Sequence, residues 1–140
     1  MFLLPLSGDY PDLEQWFRTK VVPGLRAGTR KLIRVERDDT LVGVGIAKRD
    51  DFEQKICTVR IAISHFGRGL GIKMFDSLLR WLDTDKPHLT ISEKKLYAFQ
   101  RIFEHYKFEA TSAQIGRYVP HVTEFSYNET KATPQYRASV

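Results

Sequence analysis

The sequence has little cysteine and no long apolar run. Its 140 residues include one cysteine, Cys57, which excludes an internal disulfide and fits a reducing compartment, so we expect a cytoplasmic protein. The apolar runs are far shorter than the roughly 20 residues needed to cross a bilayer, which argues against a membrane partner. The four histidines, at positions 65, 88, 105 and 121, have no metal-ligand spacing, so no metal site is expected.

Length and composition are those of a single globular domain. Hydrophobic residues make up 42% and charged residues 28% of the chain, an ordinary balance for a folded protein of this size. The first six residues, Met1 to Leu6, have no basic n-region and no cleavage site, so they are predicted to form an opening strand rather than a signal peptide.

Positive charge is in excess, and part of it is clustered. The net charge is +5, and five basic residues lie close together in the sequence: Arg26, Arg30, Lys31, Arg34 and Arg37. Such a cluster is one feature of proteins that bind nucleic acid. A solvated strand face is the explanation that we favour, and we do not expect nucleic acid to be a partner.

A glycine-rich stretch joins a predicted strand to a predicted helix. Residues 56–63 are rich in β-branched side chains, which favours a largely buried strand. Residues 70–82 have apolar positions at helical spacing. Between them, Gly67, Gly69 and Gly71 alternate with other residues, so the backbone there can adopt left-handed dihedrals and be approached closely.

This turn has the chemistry of an anion site. The N–H groups at a helix start have no intrahelical acceptor and lie at the positive end of the helix dipole, which suits a phosphate. Arg68 could add a charge-assisted hydrogen bond. The stretch contains neither G-x-x-x-x-G-K-[ST] nor G-x-G-x-x-G, so the two commonest nucleotide loops are excluded. A glycine turn that only packs closely remains the structural alternative.

The order of predicted elements indicates an α/β (α+β) domain. Its mixed, mostly antiparallel sheet has six to seven strands, flanked by helices. A first helix is expected to end at Pro23-Gly24. Gly43 and Gly45 lie on one face of a strand, where another element can approach. Strands are predicted at 31–37, 41–47, 56–63 and 87–92, with a last hairpin from 107–114 and 119–127 and a helix from Glu93 between. Because a helix separates 56–63 from 87–92, these two strands should be parallel.

This element order, together with the glycine stretch, resembles the GNAT acyltransferase family. The family loop usually reads Arg/Gln-x-x-Gly-x-Gly/Ala; here Gly69 and Gly71 match it, and Phe66 stands where Arg or Gln is usual. The resemblance covers residues 1–128, as one domain, and residues 129–140 are expected to form a flexible tail.

The resemblance implies acetyl-coenzyme A (acetyl-CoA) as co-substrate. In the family, loop amides hold the pyrophosphate, and the pantetheine arm enters a gap where the parallel strands diverge, bonding to exposed strand backbone as an added strand would. The cofactor-binding residues that follow from this are Val59, Ile61, Ile63, Phe66, Gly67, Arg68, Gly69, Leu70, Gly71 and Ile72.

Two usual catalytic positions depart from the family pattern. The tyrosine that protonates the departing thiolate falls on Phe103, and a usual asparagine falls on Leu96. The catalytic candidates are therefore polar residues nearby: Ser92 and Glu93 at the end of the short strand, and Tyr106 one helical turn beyond Phe103. Candidates for the acceptor pocket lie on the last hairpin: Tyr118, His121 and Glu124.

Two functions from different classes follow. The first is an N-acetyltransferase acting on an amine of a small molecule or a protein, as a monomer or homodimer. The second, suggested by Phe103 and Leu96, is an acyl-CoA-binding regulatory or interaction module that is catalytically weak or inactive. A thiol pKa of about 8.5 makes thiolate a tolerable leaving group without an enzyme acid, so the departures do not exclude catalysis.

Overall fold

A computed structural model describes residues 13–130, and the predicted opening strand and most of the predicted tail lie outside them. Helices α1 to α4 span Leu13–Trp16, Val22–Ala27, Leu70–Leu82 and Glu93–His105, and strands β1 to β6 span Arg30–Arg37, Thr40–Arg49, Gln54–Ile61, Leu89–Ser92, Ala110–Ile115 and Thr123–Tyr127. Within this part of the chain, no helix is long and apolar enough to cross a membrane.

The six strands form two antiparallel sheets, in the orders β1-β2-β3 and β4-β6-β5. A single parallel bridge, between Lys55 of β3 and His88 just before β4, joins the two sheets. The predicted α+β class with mostly antiparallel strands is thus confirmed, but the strands of the described chain form two sheets and not one, and they meet at this parallel bridge. The last two strands form the expected hairpin.

The first helix does not end at Pro23. Residues Phe17–Val21 form a π-helical turn, in which the Val22 N–H donates to the Phe17 carbonyl, and α2 continues to Ala27. Pro23 lies in the first turn of α2, where its missing N–H costs little. The helix ends at Gly28, whose φ of 80° is left-handed.

Helices α3 and α4 cover one face of the sheets. Helix α3 approaches β2 so closely that a Cβ atom at Gly45 would lie 2.6 Å from the Met74 sulfur. The predicted close approach at this strand is therefore confirmed. Phe75 lies at the centre of the core, with the rings of Phe99, Phe103 and Phe108 between 6.1 and 6.4 Å from its own.

Helices α1 and α2 cover the opposite face of the first sheet. Trp16 packs in a buried cluster with Val44 and Ile46. Arg30 is buried there as well, lying over the Trp16 ring and donating to the Cys57 sulfur, so it does not belong to a solvated basic face. Burial raises the pKa of the Cys57 thiol, which favours the protonated, structural form.

A buried ion cluster lies where the two sheets meet. Glu53 accepts a hydrogen bond from Lys48 at 2.9 Å, and its other oxygen is 3.6 Å from Nδ1 of His88. Burial by itself would raise the pKa of Glu53, but His88, Lys48 and Lys55 lower it to about 2. The carboxylate is therefore ionised throughout the physiological pH range.

Glu129, which follows β6, contacts the edge strand β5. The Glu129 carboxylate accepts hydrogen bonds from the hydroxyls of Thr111 and Ser112 on β5. These bonds fix the chain end of β6 against the edge strand.

Candidate active site

Strands β3 and β4 touch at one end only. The Ile56 N–H donates to the His88 carbonyl, and the His88 N–H donates to the Gln54 carbonyl, both at 2.9 Å. Beyond this point, no backbone hydrogen bond joins β3 to β4 in the described chain. The two strands therefore diverge towards their carboxyl ends and leave an open crevice in the sheet.

The β3 backbone presents donors to this crevice. The Ala62 N–H donates to the Val42 carbonyl of β2 at 2.8 Å. Because successive N–H groups of a strand point to opposite sides, those of Ile61 and Val59 point away from β2 and into the crevice. The strand is shorter than expected, since β3 ends at Ile61 and Ile63 begins a 3₁₀ turn. Ile63 is 84% exposed and still lines the crevice cavity.

A cavity of about 160 Å³ fills the crevice. Its walls are β3, β4 and the faces of α3 and α4 that pack beneath them. Most of its lining is apolar and includes Val59, Ile61, Ile91, Phe99 and Phe103. An extended, largely apolar arm is the kind of group that such a slot accepts.

The glycine loop has the geometry of an anion cradle. Gly67 and Gly69 have φ values of 76° and 78°, and a Cβ atom on either would meet nothing within 4 Å. Within the described chain, the backbone N–H groups of residues 67–72 donate no hydrogen bond, and the first that does is Lys73, to the Gly69 carbonyl. These six donors lie at and just before the start of α3, where the helix dipole favours a negative charge.

Gly71 has a different role from the other two glycines. It is buried in the first turn of α3, and a Cβ atom there would lie 2.5 Å from Cδ1 of Ile102. The absent side chain lets α3 pack on α4, while the Gly71 N–H still belongs to the cradle. The Leu70 side chain is buried in the core, whereas Arg68 is exposed beside the loop.

The loop and the crevice adjoin each other. A second cavity, of about 90 Å³, is lined by Gly67 and Gly71 of the loop. It shares Ile61, Phe66 and Phe99 with the lining of the larger cavity. A site for an anionic group at the loop therefore lies next to the apolar slot of the crevice.

Two of the predicted catalytic residues are engaged elsewhere. The Ser92 hydroxyl is buried and accepts the Lys94 N–H, so it is the N-cap of α4. The Glu93 carboxylate accepts the Thr123 N–H at 3.0 Å. Neither lines the crevice cavity, and both tie the start of α4 to the second sheet.

Tyr106 is also turned away from the crevice. Its hydroxyl lies within hydrogen-bonding distance of the Ile72 carbonyl and the Asp76 carboxylate, and so links α4 to α3. Partial burial and the adjacent Asp76 charge raise the pKa of Tyr106, which makes it a poor proton donor.

The acceptor candidates on the last hairpin are only partly brought together. Glu124 is buried on β6, opposite Ser92 in the strand register. Tyr118, under the Arg117 guanidinium, and the exposed His121, with φ of 64°, lie in the connection between β5 and β6. None of the three lines the crevice cavity.

Sequence reasoning missed the polar residues that do line the cavity. They are Thr58 and Arg60 of β3, Thr90 of β4, and Lys95 and Tyr97 of α4. For the three strand residues, the signal available was their position on the two strands that were predicted to diverge. Among residues 13–130, no group of three or more His, Cys, Asp or Glu side chains is placed to hold a metal ion.

Comparison with known proteins finds similarity in structure only. No family model matches the sequence, and no curated protein matches it. The ribosomal-protein-S18-alanine N-acetyltransferase from Escherichia coli superposes with a TM-score of 0.62 at 11% identity, over 84% of this chain and 81% of that one.

Two further neighbours were solved with a form of coenzyme A. An aminoglycoside 6'-N-acetyltransferase complexed with coenzyme A superposes with a TM-score of 0.60 at 11% identity, over 94% of this chain and 88% of that one. A GNAT family acetyltransferase from Elizabethkingia anophelis with acetyl-CoA bound superposes with a TM-score of 0.56 at 11% identity, over 79% of this chain and 82% of that one.

Proposed function

We propose, from the GNAT acetyltransferase fold of this chain, that it transfers an acetyl group from acetyl-CoA to an amine of a small molecule or protein. The observation that carries the proposal is the run of six N–H groups without acceptors in the described chain, at residues 67–72, next to the crevice. A diphosphate is bound by several converging donors and is repelled by a nearby carboxylate. Residues 67–72 supply the donors and include no Asp or Glu.

The chain's own residues divide the work of binding. Loop amides from Gly67 to Ile72 would hold the diphosphate, and the N–H groups of Val59 and Ile61 would hold the pantetheine arm as an added strand. Bound acetyl-CoA supplies an activated thioester. An N–H at Ile61 or Val59 would also stabilise negative charge on the thioester oxygen during attack.

Positioning supplies most of the expected acceleration. Two reactants aligned in one crevice can reach effective molarities of roughly 10⁵ M or more. Phe103, buried in the cavity wall, has no proton to give, so the thiolate would be protonated from solvent or by Tyr97, which also lines the cavity. Because Phe103 stands where the family has a tyrosine, a binding module without turnover is the alternative function.

Thermal unfolding with acetyl-CoA tests the proposal first. At about 100 times its dissociation constant, acetyl-CoA should stabilise the fold by roughly 2.7 kcal/mol. NAD⁺, which has a diphosphate but no pantetheine arm, is the matched control and should stabilise it much less. Release of free coenzyme A across a panel of amines then separates the enzyme from the module, since stabilisation without release would favour the module.

A Tyr106→Phe variant tests whether this residue is catalytic or structural. Loss of the hydrogen bond to the Asp76 carboxylate should lower the free energy of unfolding by about 1 to 3 kcal/mol. The rate of coenzyme A release should not change, because the hydroxyl does not face the crevice. Urea unfolding gives the free energy of unfolding, and steady-state kinetics give kcat. A large fall in kcat with unchanged stability would indicate that Tyr106 is the catalytic acid.

A further inference from the structure

The charged side chains that line the crevice cavity are both cations. Arg60 lies near the carboxyl end of β3, and Lys95 lies in the first turn of α4, just after β4. No Asp or Glu of the described chain lines this cavity. One positive charge therefore lies on the β3 side of the crevice, and another lies on the β4 side.

Arg60 lies on the sheet face that is turned away from α3. In the register, Arg60 is paired with Val44 and Val59 with Gly45, and paired residues point to the same face of a sheet. Val44 packs against Trp16 of the first helical segment, whereas Gly45 packs against Met74 of α3. The glycine loop leads into α3, so Arg60 is placed for a ligand that enters from the face opposite to α3.

The acids near this face are set back from the cavity. Glu124 is buried on β6, and Glu53 is paired with Lys48 at the closed end. Arg60 also has a partner within the protein, but a guanidinium has five N–H donors and can bind a second oxyanion alongside the first. Lys95 and Glu124 also have partners within the protein. Because the cavity lining includes two cations and no carboxylate, an oxyanion that enters it meets donors of matching charge.

We propose that the amine acceptor carries an anionic group, of which a carboxylate is the simplest, and that Arg60 binds it. This inference rests on the acetyl transfer proposed above. In the reaction, the acceptor nitrogen forms a bond to the acyl carbon, the carbon–sulfur bond breaks, and one proton from nitrogen ends on the coenzyme A sulfur. Arg60 acts as a specificity residue, and Lys95 adds to the positive field.

Matched substrates test the inference. Each of several amino acids, such as glycine, β-alanine and glutamate, is compared with its own amide, and spermidine represents acceptors with only positive charge. With wild-type protein, at least one acid should have a kcat/KM roughly 10- to 100-fold above that of its amide, the range expected for a hydrogen-bonded charge. The amide has the less basic amine and hence more free base, which works against this result.

The Arg60→Gln variant ties the preference to one side chain. We expect kcat/KM for the acids to fall to the level of the amides, while the amides change little. Arg101→Gln, an exposed arginine of α4 outside the cavity lining, is the matched control and should keep the preference. An unchanged thermal shift with acetyl-CoA shows that both variants are folded and retain the cofactor site.

The outcomes separate the two proposals. Equal use of acids and amides by the wild type, better use of spermidine, or a preference that survives Arg60→Gln would overturn the anionic acceptor and leave acetyl transfer standing. No stabilisation by acetyl-CoA, or no coenzyme A release with any amine, would count against the proposed enzyme and remove this inference with it.

Discussion

Gly69→Asp should weaken acetyl-CoA binding by at least about 100-fold, whereas Gly69→Asn should stay within about tenfold of the wild type. Gly69 has φ of 78° and open space at its Cβ position, and Asn and Asp are the side chains that best tolerate this conformation. The two variants thus share the backbone strain and differ in charge. A carboxylate about 4 Å from a phosphate would be repelled by roughly 4 kcal/mol at an effective dielectric of 20.

Isothermal titration calorimetry gives both affinities, and urea unfolding shows whether the two variants are equally stable. Equal affinities for Asp and Asn would place the diphosphate away from this loop. Gly71 is a poorer site for the same test, because Ile102 occupies the space of its side chain and any substitution would disturb the packing of α3 on α4.

Glu53→Gln should lower the free energy of unfolding at pH 7 by about 3 kcal/mol. The pKa of Glu53 is about 2 in the folded protein and ordinarily 4.5, and each pKa unit is worth about 1.4 kcal/mol. Because the folded pKa is depressed, this stability is present above pH 4.5 and is lost as the pH falls towards 2. The side chain is 6% exposed, so solvent screens it little.

Urea unfolding at pH 7 and at pH 2.5 measures this dependence. The difference in the free energy of unfolding between wild type and Glu53→Gln should be much smaller at pH 2.5 than at pH 7. Glu36→Gln is the matched control, since Glu36 forms an exposed ion pair with Arg34 and should contribute less than about 1 kcal/mol at either pH. If Glu53→Gln lowers the free energy of unfolding by the same amount at both pH values, the charge of Glu53 is not what stabilises the fold.

The features that the sequence predicted well are those set by neighbours in the chain. The helix over residues 70–82 was predicted with its observed bounds, because periodicity of apolar residues is a local signal. The glycine loop was also predicted, because left-handed φ at Gly67 and Gly69 follows from residue type. The pairing of the first strands followed from alternation and short connections.

Two predicted element ends were wrong. A π turn carries the first helix past Pro23, where a local rule ended it. Ile63 was expected to continue β3, but the strand ends at Ile61. For Tyr106, only the structure shows that Asp76, thirty residues away, lies beside its hydroxyl, and its catalytic role stays a prediction.

The sequence by itself determined the elements and the anion-binding chemistry of the loop, because backbone freedom and helix ends are properties of a few adjacent residues. Only the tertiary structure decided which polar groups reach the crevice. Arg60 and Lys95 line one cavity because β3 and β4 diverge, while Ser92 and Glu93 turn aside to cap α4 and hold β6. The approach of Arg60 to Lys95, and that of Glu93 to Thr123, joins residues distant in the sequence, so no local pattern predicts it.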